Sequence, residues 1–191
     1  HLMKSMNNEY TYDTDDYATA LAAARFADGL PERDRSLINA FVDQMSGRLD
    51  RAEQGYLAHL KRWPDEVRAM YHLATMYFRW NPKRAAPMDQ ARPYLVQALE
   101  LDPDYVPAVH TLARLDAAYG RLESVGEMAE TMERAAPDSE WSVEVGTMAA
   151  FAADDSERIQ ELSANFADRS LVTRLYSIYS ALRFSPDVRA A

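Results

Sequence analysis

The chain has 191 residues, of which 48% are hydrophobic, six are glycine and none is cysteine. This size and composition allow a substantial core, and the scarcity of glycine favours long helices over turn-rich sheets. The formal net charge of −9 argues against a nucleic-acid or anionic-membrane partner, because such partners require basic surfaces. The lack of cysteine excludes disulfides, thiolate nucleophiles and thiolate metal sites.

The chain contains no apolar run near the roughly 20 residues that span a bilayer, and its start lacks the pattern of a signal peptide. We therefore expect a cytoplasmic protein. The opening His1-Leu2-Met3 is typical of a tag remnant. We expect residues 1–12 to be this remnant and a flexible terminus, residues 13–185 a single helical repeat domain, and residues 186–191 a tail.

Four prolines punctuate the sequence at intervals of 33, 39 and 34 residues, and an acidic residue follows each of them: Pro31, Pro64, Pro103 and Pro137. Proline ends one helix, and an acid favours the start of the next. Self-similarity at this period is typical of stacked helix pairs. The spacing predicts repeats at about 31–64, 65–103, 104–137 and 138–166, followed by a terminal helix at about 170–183.

Apolar spacing within these repeats predicts individual helices. In the second repeat, buried positions at i, i+3, i+4 and i+7 are expected at Met70, Leu73, Ala74 and Tyr77. With one more helix upstream, at 15–28, about ten helices and no strand are expected, which makes the fold all-α, an α-solenoid.

Two helix starts can be placed more closely. Pro93 belongs in a first turn, so its helix should begin near Asp89 as the cap. Asp50 and Glu53 have the spacing of a capping box.

Registering each unit on its closing proline gives a position-wise pattern. Ala40, Ala52 and Tyr56 occupy the small and aromatic positions of the first unit, and Ala-Leu-Glu-Leu-Asp-Pro closes the second at 98–103. These positions, over roughly residues 31–153, resemble the tetratricopeptide-repeat (TPR) family. Asp116 departs from the pattern, since an aromatic residue is usual there. The resemblance implies a helical solenoid that binds a partner.

A narrower likeness concerns residues 30–35 and 47–52 and the proline-bearing loop before Ala91-Arg92-Pro93. These stretches are similar to TPR sensor segments of bacterial serine/threonine kinases and winged-helix regulators. The resemblance implies a recognition or regulatory role in signalling. The kinase motifs themselves do not occur in the sequence.

The candidates for chemistry are few. The internal histidines, His59, His72 and His110, form no HExxH-type pair, and polar groove or surface positions are the favoured interpretation. The acid pair Asp154-Asp155 stands at a predicted helix start, where carboxylates stabilise the positive end of the helix dipole. We therefore expect no enzyme activity, no metal and no cofactor.

The resemblance implies a concave groove lined by the first helix of each hairpin. On our registration the partner-binding residues are Phe41, Arg68, Tyr71, His72, Thr75, Arg79, His110, Arg114 and Met148, with Glu144 and Phe151 beside the last. Such a groove suits an acidic or extended peptide, with Arg79 and Arg114 as anchors. The alternative, that these arginines are solvated or pair with Asp and Glu, stays open.

Two hypotheses for the function follow from this interpretation of the sequence. The first is a protein–protein interaction module that binds a peptide or a neighbouring domain in the groove. The alternative is a small-molecule sensor domain of a bacterial signalling protein, with a pocket closed by the terminal helices and the 81–88 loop.

Overall fold

The fold is all-α throughout the part of the chain that can be described. The computed structural model describes residues 22, 25, 29–137, 139–164 and 166–184. These residues form nine α-helices, joined by turns and three short 3-10 segments, and no strand occurs among them. The prediction of an all-α helical repeat is confirmed. The helix expected at 15–28 lies outside the described residues except for Ala22 and Arg25, which are helical. The terminus and tail expected at 1–12 and 186–191 also lie outside them.

The chain divides into two compact units, His1–Asp102 and Pro103–Ala191. In the first unit each helix packs on the next; the helices are α1 (Glu32–Met45), α2 (Leu49–Arg62), α3 (Val67–Trp80) and α4 (Arg92–Leu101).

In the second unit α5 packs on α6, α6 on α7, and α7 on both α8 and α9. The ranges are α5 (Val106–Ala118), α6 (Leu122–Ala135), α7 (Glu140–Ala153), α8 (Ser156–Ala164) and α9 (Leu171–Phe184). Among the described residues, no helix is long and apolar enough to cross a membrane.

The core of the first unit follows the predicted helical spacing. Met70, Leu73, Ala74 and Tyr77 on α3 are at most 6% exposed, which confirms the four predicted positions. On α4, which packs on α3, Leu95 and Ala98 are fully buried. Apolar residues at this spacing lie along one stripe of a helix, so α3 and α4 can bury them against each other.

Two hairpin turns in the structure share one design. The turn after α1 contains Gly47 (φ 72°), and the Gly47 and Arg48 amides donate to the carbonyls of Gln44 and Asp43. The turn after α5 has the same form at Gly120 (φ 73°), where the Gly120 amide donates to the Ala117 carbonyl and the Arg121 amide to the Asp116 carbonyl. This Schellman arrangement needs a left-handed residue, which glycine adopts without steric penalty.

An ion pair reinforces each of these turns. The Arg48 Nε donates to Asp43 Oδ1 at 2.6 Å, and the Arg121 Nε donates to Asp116 Oδ1 at 2.5 Å. The sequence Asp-x-x-x-Gly-Arg-Leu therefore recurs at 43–49 and 116–122. Asp116 departs from the usual aromatic residue because its carboxylate, fully buried, fixes the turn between α5 and α6.

The connection between α3 and α4 is built differently. Residues Asn81–Arg84 and Met88–Ala91 form 3-10 turns, separated by Ala85 in the left-handed region at φ 53°. The buried Asn81 amide holds this loop by donating to the Pro87 carbonyl and to Gln90 Oε1, both at 2.9 Å. Side-chain hydrogen bonds thus stabilise a loop that has no glycine at its left-handed position.

Both predicted helix caps are wrong. α4 begins at Arg92 after Ala91, and Asp89 lies inside the preceding 3-10 turn; Pro93 does occupy the first turn, as predicted. α2 begins at Leu49 after Arg48, with no side-chain cap.

The side chains of Asp50 and Glu53 instead accept from the Arg84 guanidinium at 2.7 and 3.3 Å. The competing partner is a cation 31 to 34 residues away. A local motif such as the capping box does not reveal a partner at that distance.

The space around Gly55 in α2 and Gly126 in α6 predicts opposite effects on stability when each is replaced by alanine. A Cβ on Gly55 would lie 3.0 Å from Ala40 Cβ and 3.4 Å from its Cα, whereas a Cβ on Gly126 in α6 meets nothing within 4 Å. We expect Gly55→Ala to destabilise the protein by about 1–2 kcal/mol through overpacking. Gly126→Ala should stabilise it by about 0.5–1 kcal/mol through helix propensity.

Denaturant unfolding monitored by circular dichroism compares the two glycine variants directly. Equal stabilisation by both substitutions would contradict the close approach of α1 and α2.

Candidate partner-binding surface

The nine predicted groove residues separate into a buried group and an accessible group. Six of them are at most 4% exposed: Phe41, Tyr71, His72, Thr75, His110 and Met148. The three arginines, Arg68, Arg79 and Arg114, are partly exposed. In each unit, arginine side chains on the first helix of a hairpin are therefore the predicted groove residues that a partner can reach without rearrangement.

In the first unit the buried residues form an aromatic cluster around His72 on α3. Its ring centroid lies 5.0 Å from that of Phe41, 5.4 Å from Tyr71 and 6.2 Å from Tyr56. Thr75 donates to the His72 carbonyl at 2.9 Å. These contacts join α1, α2 and α3, and tilted ring pairs at such distances add to the stabilisation from burial.

Arg68 stands beside this cluster and is held by a carboxylate. Its Nε donates to Glu66 Oε1 at 2.9 Å, and the Arg33 Nε donates to Glu66 Oε2 at the same distance. Burial favours the neutral form of Glu66, but the hydrogen bonds and charges of Arg68 and Arg33 outweigh it and hold the pKa of Glu66 below its usual range. The ionised carboxylate fixes the position of Arg68 from one side.

Arg79 lies in the last turn of α3 and is partly exposed. A cation at this end interacts favourably with the partial negative charge of the helix C-terminus. The helix therefore supports a positive charge at this position on the surface of the first unit.

In the second unit a buried polar group joins the first helices of two hairpins. The His110 Nε2 lies 3.0 Å from Glu144 Oε2, and the Arg114 Nε lies 3.5 Å from Glu144 Oε1. The His110 ring also stacks on Trp141, with centroids 4.8 Å apart and planes 10° apart. His110 and Arg114 belong to α5, and Glu144 and Trp141 to α7, so this group holds the two helices side by side.

The alternative of pairing with acidic residues, left open for Arg79 and Arg114, describes Arg114 correctly, and Arg68 pairs with Glu66 in the same way. The register places both Glu144 and His110 on the groove, but their pairing with each other was not predicted. The two residues are 34 positions apart, which is the length of one repeat. Complementary polar side chains separated by one repeat are a sequence signal that could have found both this pair and Arg84–Asp50.

The interpretation of the histidines as polar groove or surface residues is wrong about their exposure. His59, His72 and His110 are each at most 1% exposed. His59 pairs through Nδ1 with the Ser36 hydroxyl at 2.7 Å, and burial lowers its pKa. Within the described ranges no group of three or more His, Asp or Glu side chains is arranged to hold a metal ion.

Comparison with known proteins identifies a repeat family in the middle of the chain. Residues 88–142, which include α4, α5 and α6, match the family model described as tetratricopeptide repeat. No curated protein matches the chain.

Proposed function

Because the chain contains tetratricopeptide repeats, which generally mediate protein–protein interaction, we propose that it is an interaction module that binds a peptide or a neighbouring domain. The family match over a series of helix hairpins is the observation that carries this proposal. Repeat folds of this kind present side chains of successive helices as an extended binding surface. They are built to hold a partner in an extended or helical conformation.

The partner contacts are assigned to the three arginines, and the six buried residues support them. In the first unit the aromatic cluster around His72 packs the helix that carries Arg68 and Arg79. In the second unit His110 and Glu144 fix the helix that carries Arg114, whose side chain is 21% exposed. Each unit is proposed to use its own arginines, so each site can be tested separately.

The chemistry of these side chains favours an acidic partner. A guanidinium offers a planar set of donors that matches a carboxylate in a bidentate arrangement. Glu66 and Glu144 orient Arg68 and Arg114 in advance, which reduces the side-chain entropy lost when a partner binds. We therefore propose Asp- or Glu-rich segments as ligands. The likeness of segments 30–35 and 47–52 to bacterial sensor segments supports a regulatory setting.

Selection from a random peptide display library on the immobilised chain tests this proposal. The wild-type protein should enrich sequences rich in Asp and Glu. Arg79→Ala should reduce the affinity of selected peptides that bind the first unit, and Arg114→Ala should reduce the affinity of those that bind the second unit, each by about 2- to 10-fold for one charge-assisted contact.

Arg134→Ala is the matched control, because Arg134 lies on a second helix, α6, with Asp104 as its partner at 2.9 Å. It removes the same charge from a surface outside the proposed site. Equal effects of all three substitutions, or selection of peptides without acidic residues, would contradict the assignment.

A further inference from the structure

A cavity of about 250 Å³ lies in the second unit between α7, α8 and α9. Its apolar walls are Phe151 from α7, Ile159 and Leu162 from α8, Phe166 after α8, and Ile178 from α9. Every residue that lines it belongs to this unit. The 81–88 loop, expected to help close a pocket, contributes nothing to this one.

The packing of the terminal helices explains why space remains here. In two earlier hairpins the second helix packs on the first helix of the following hairpin: α2 packs on α3, and α6 packs on α7. α9 packs on α7, but it makes little contact with α8 among the described residues. α8 is also short, with nine residues against 14 for α6 and α7. The floor of the cavity is therefore α7. The two walls, α8 and α9, make little contact through their described residues and leave the space between them open.

Three hydroxyl groups of described residues line the cavity, and one of them has no hydrogen-bond partner. Thr147 donates to the Val143 carbonyl at 2.7 Å, and Ser163 donates to the Ile159 carbonyl at 2.6 Å. The Ser177 hydroxyl is buried without a hydrogen-bond partner, and the residue is only 6% exposed. A buried polar group left unsatisfied destabilises the fold, so a ligand that supplies the missing hydrogen bond gains affinity.

We propose that this cavity binds a neutral, mostly apolar small molecule that carries one hydrogen-bonding group directed at Ser177. Among the described residues no charged side chain lines the cavity, so a charged ligand would lose its hydration without compensation. A cavity of about 150 Å³ admits benzene, so this one suits a molecule of roughly ten to fifteen non-hydrogen atoms, such as an aromatic alcohol. The site goes beyond the proposed partner binding and does not depend on it.

The isoleucines of the chain provide a direct readout. There are three of them, and Ile159 and Ile178 line the cavity, whereas Ile38 is buried in the first unit. The full-length protein labelled at the isoleucine δ1 methyl groups is titrated with 2-naphthol and followed by NMR. The signals of Ile159 and Ile178 should shift and saturate together, and the signal of Ile38 should stay in place.

Two variants separate the cavity from general apolar binding. Ser177→Ala removes the unpaired hydroxyl, so it should lower the affinity for 2-naphthol about 2- to 10-fold without lowering the melting temperature of the protein. Its affinity for naphthalene, which has no hydroxyl, should be unchanged. Ser163→Trp places a large ring at the exposed rim and should block both compounds, whereas Gln160→Trp, on α8 outside the cavity lining, should block neither.

Three results would overturn the proposal. The first is an absence of shifts at Ile159 and Ile178 with excess 2-naphthol. The second is a shift of Ile38 equal to theirs, which would indicate nonspecific binding. The third is an equal affinity of the wild type and Ser177→Ala for 2-naphthol, which would show that the Ser177 hydroxyl does not contribute to ligand binding.

Discussion

Asp116→Ala is expected to lower the free energy of unfolding by about 2–4 kcal/mol, because it deletes a buried carboxylate that serves two donors. Asp116 is fully buried and accepts from Arg121 Nε at 2.5 Å and from Ser124 Oγ at 2.6 Å. Those two groups lie at the start of the next helix, so the loss would loosen the whole turn. Denaturant unfolding measures the effect, with the slope against denaturant checked for constancy.

The first hairpin supplies a matched control for Asp116. Asp43 holds the equivalent turn through Arg48, but the Asp43 side chain is 14% exposed. Water can therefore partly replace the hydrogen bonds that Asp43 makes. Asp43→Ala should cost about 1 kcal/mol, within the range for a partly exposed ion pair. A cost for Asp116→Ala no greater than that for Asp43→Ala would show that burial does not give Asp116 the assigned role.

Glu144→Ala is expected to destabilise the protein by about 2–4 kcal/mol, because it deletes a buried carboxylate that lies 3.0 Å from Nε2 of the fully buried His110. Glu144 is 5% exposed, and its two oxygens face His110 and Arg114. Glu144→Gln keeps an acceptor of the same shape and should lose less stability than Glu144→Ala.

Glu130, exposed on α6, is the control for Glu144 in the same measurement. Glu130→Ala should change stability by no more than about 0.5 kcal/mol. If Glu144→Ala behaves like Glu130→Ala, the pair between α5 and α7 does not hold the two helices together.

The sequence predicted the helices of this fold well because helix burial is periodic. The stripe of Met70, Leu73, Ala74 and Tyr77 is visible in one window of the chain, and the structure buries all four. Pro93 likewise fixed a first turn through its own backbone chemistry. These features depend on residues that are near one another in sequence, so a single chain is sufficient to find them.

The misplaced features depend on partners one repeat away. Asp50 and Glu53 have the spacing of a cap, but they pair with Arg84. His110 is a polar residue of a type often found at the surface, but here it is buried. Its ring pairs with the Glu144 carboxylate and stacks on Trp141. Local propensity gives no information on such contacts, because tertiary packing decides between a local and a distant partner.

The cavity beside α9 was anticipated only in outline. The sequence leads us to expect a pocket closed by the terminal helices and the 81–88 loop, and the cavity lies among the terminal helices without that loop. The position of an unpaired hydroxyl at Ser177 depends on how far α8 and α9 separate. That separation is set by three-dimensional packing and not by any pattern along the chain.

The salt dependence of binding tests the proposed function most directly. A peptide selected by the wild-type protein is titrated at about 50 mM and about 500 mM salt, where charge screening differs strongly. The affinity should fall with salt for the wild type, and it should fall less for Arg79→Ala or Arg114→Ala, according to which unit the peptide binds. An affinity that changes neither with salt concentration nor with the arginine substitutions would contradict binding of an acidic partner through these helices.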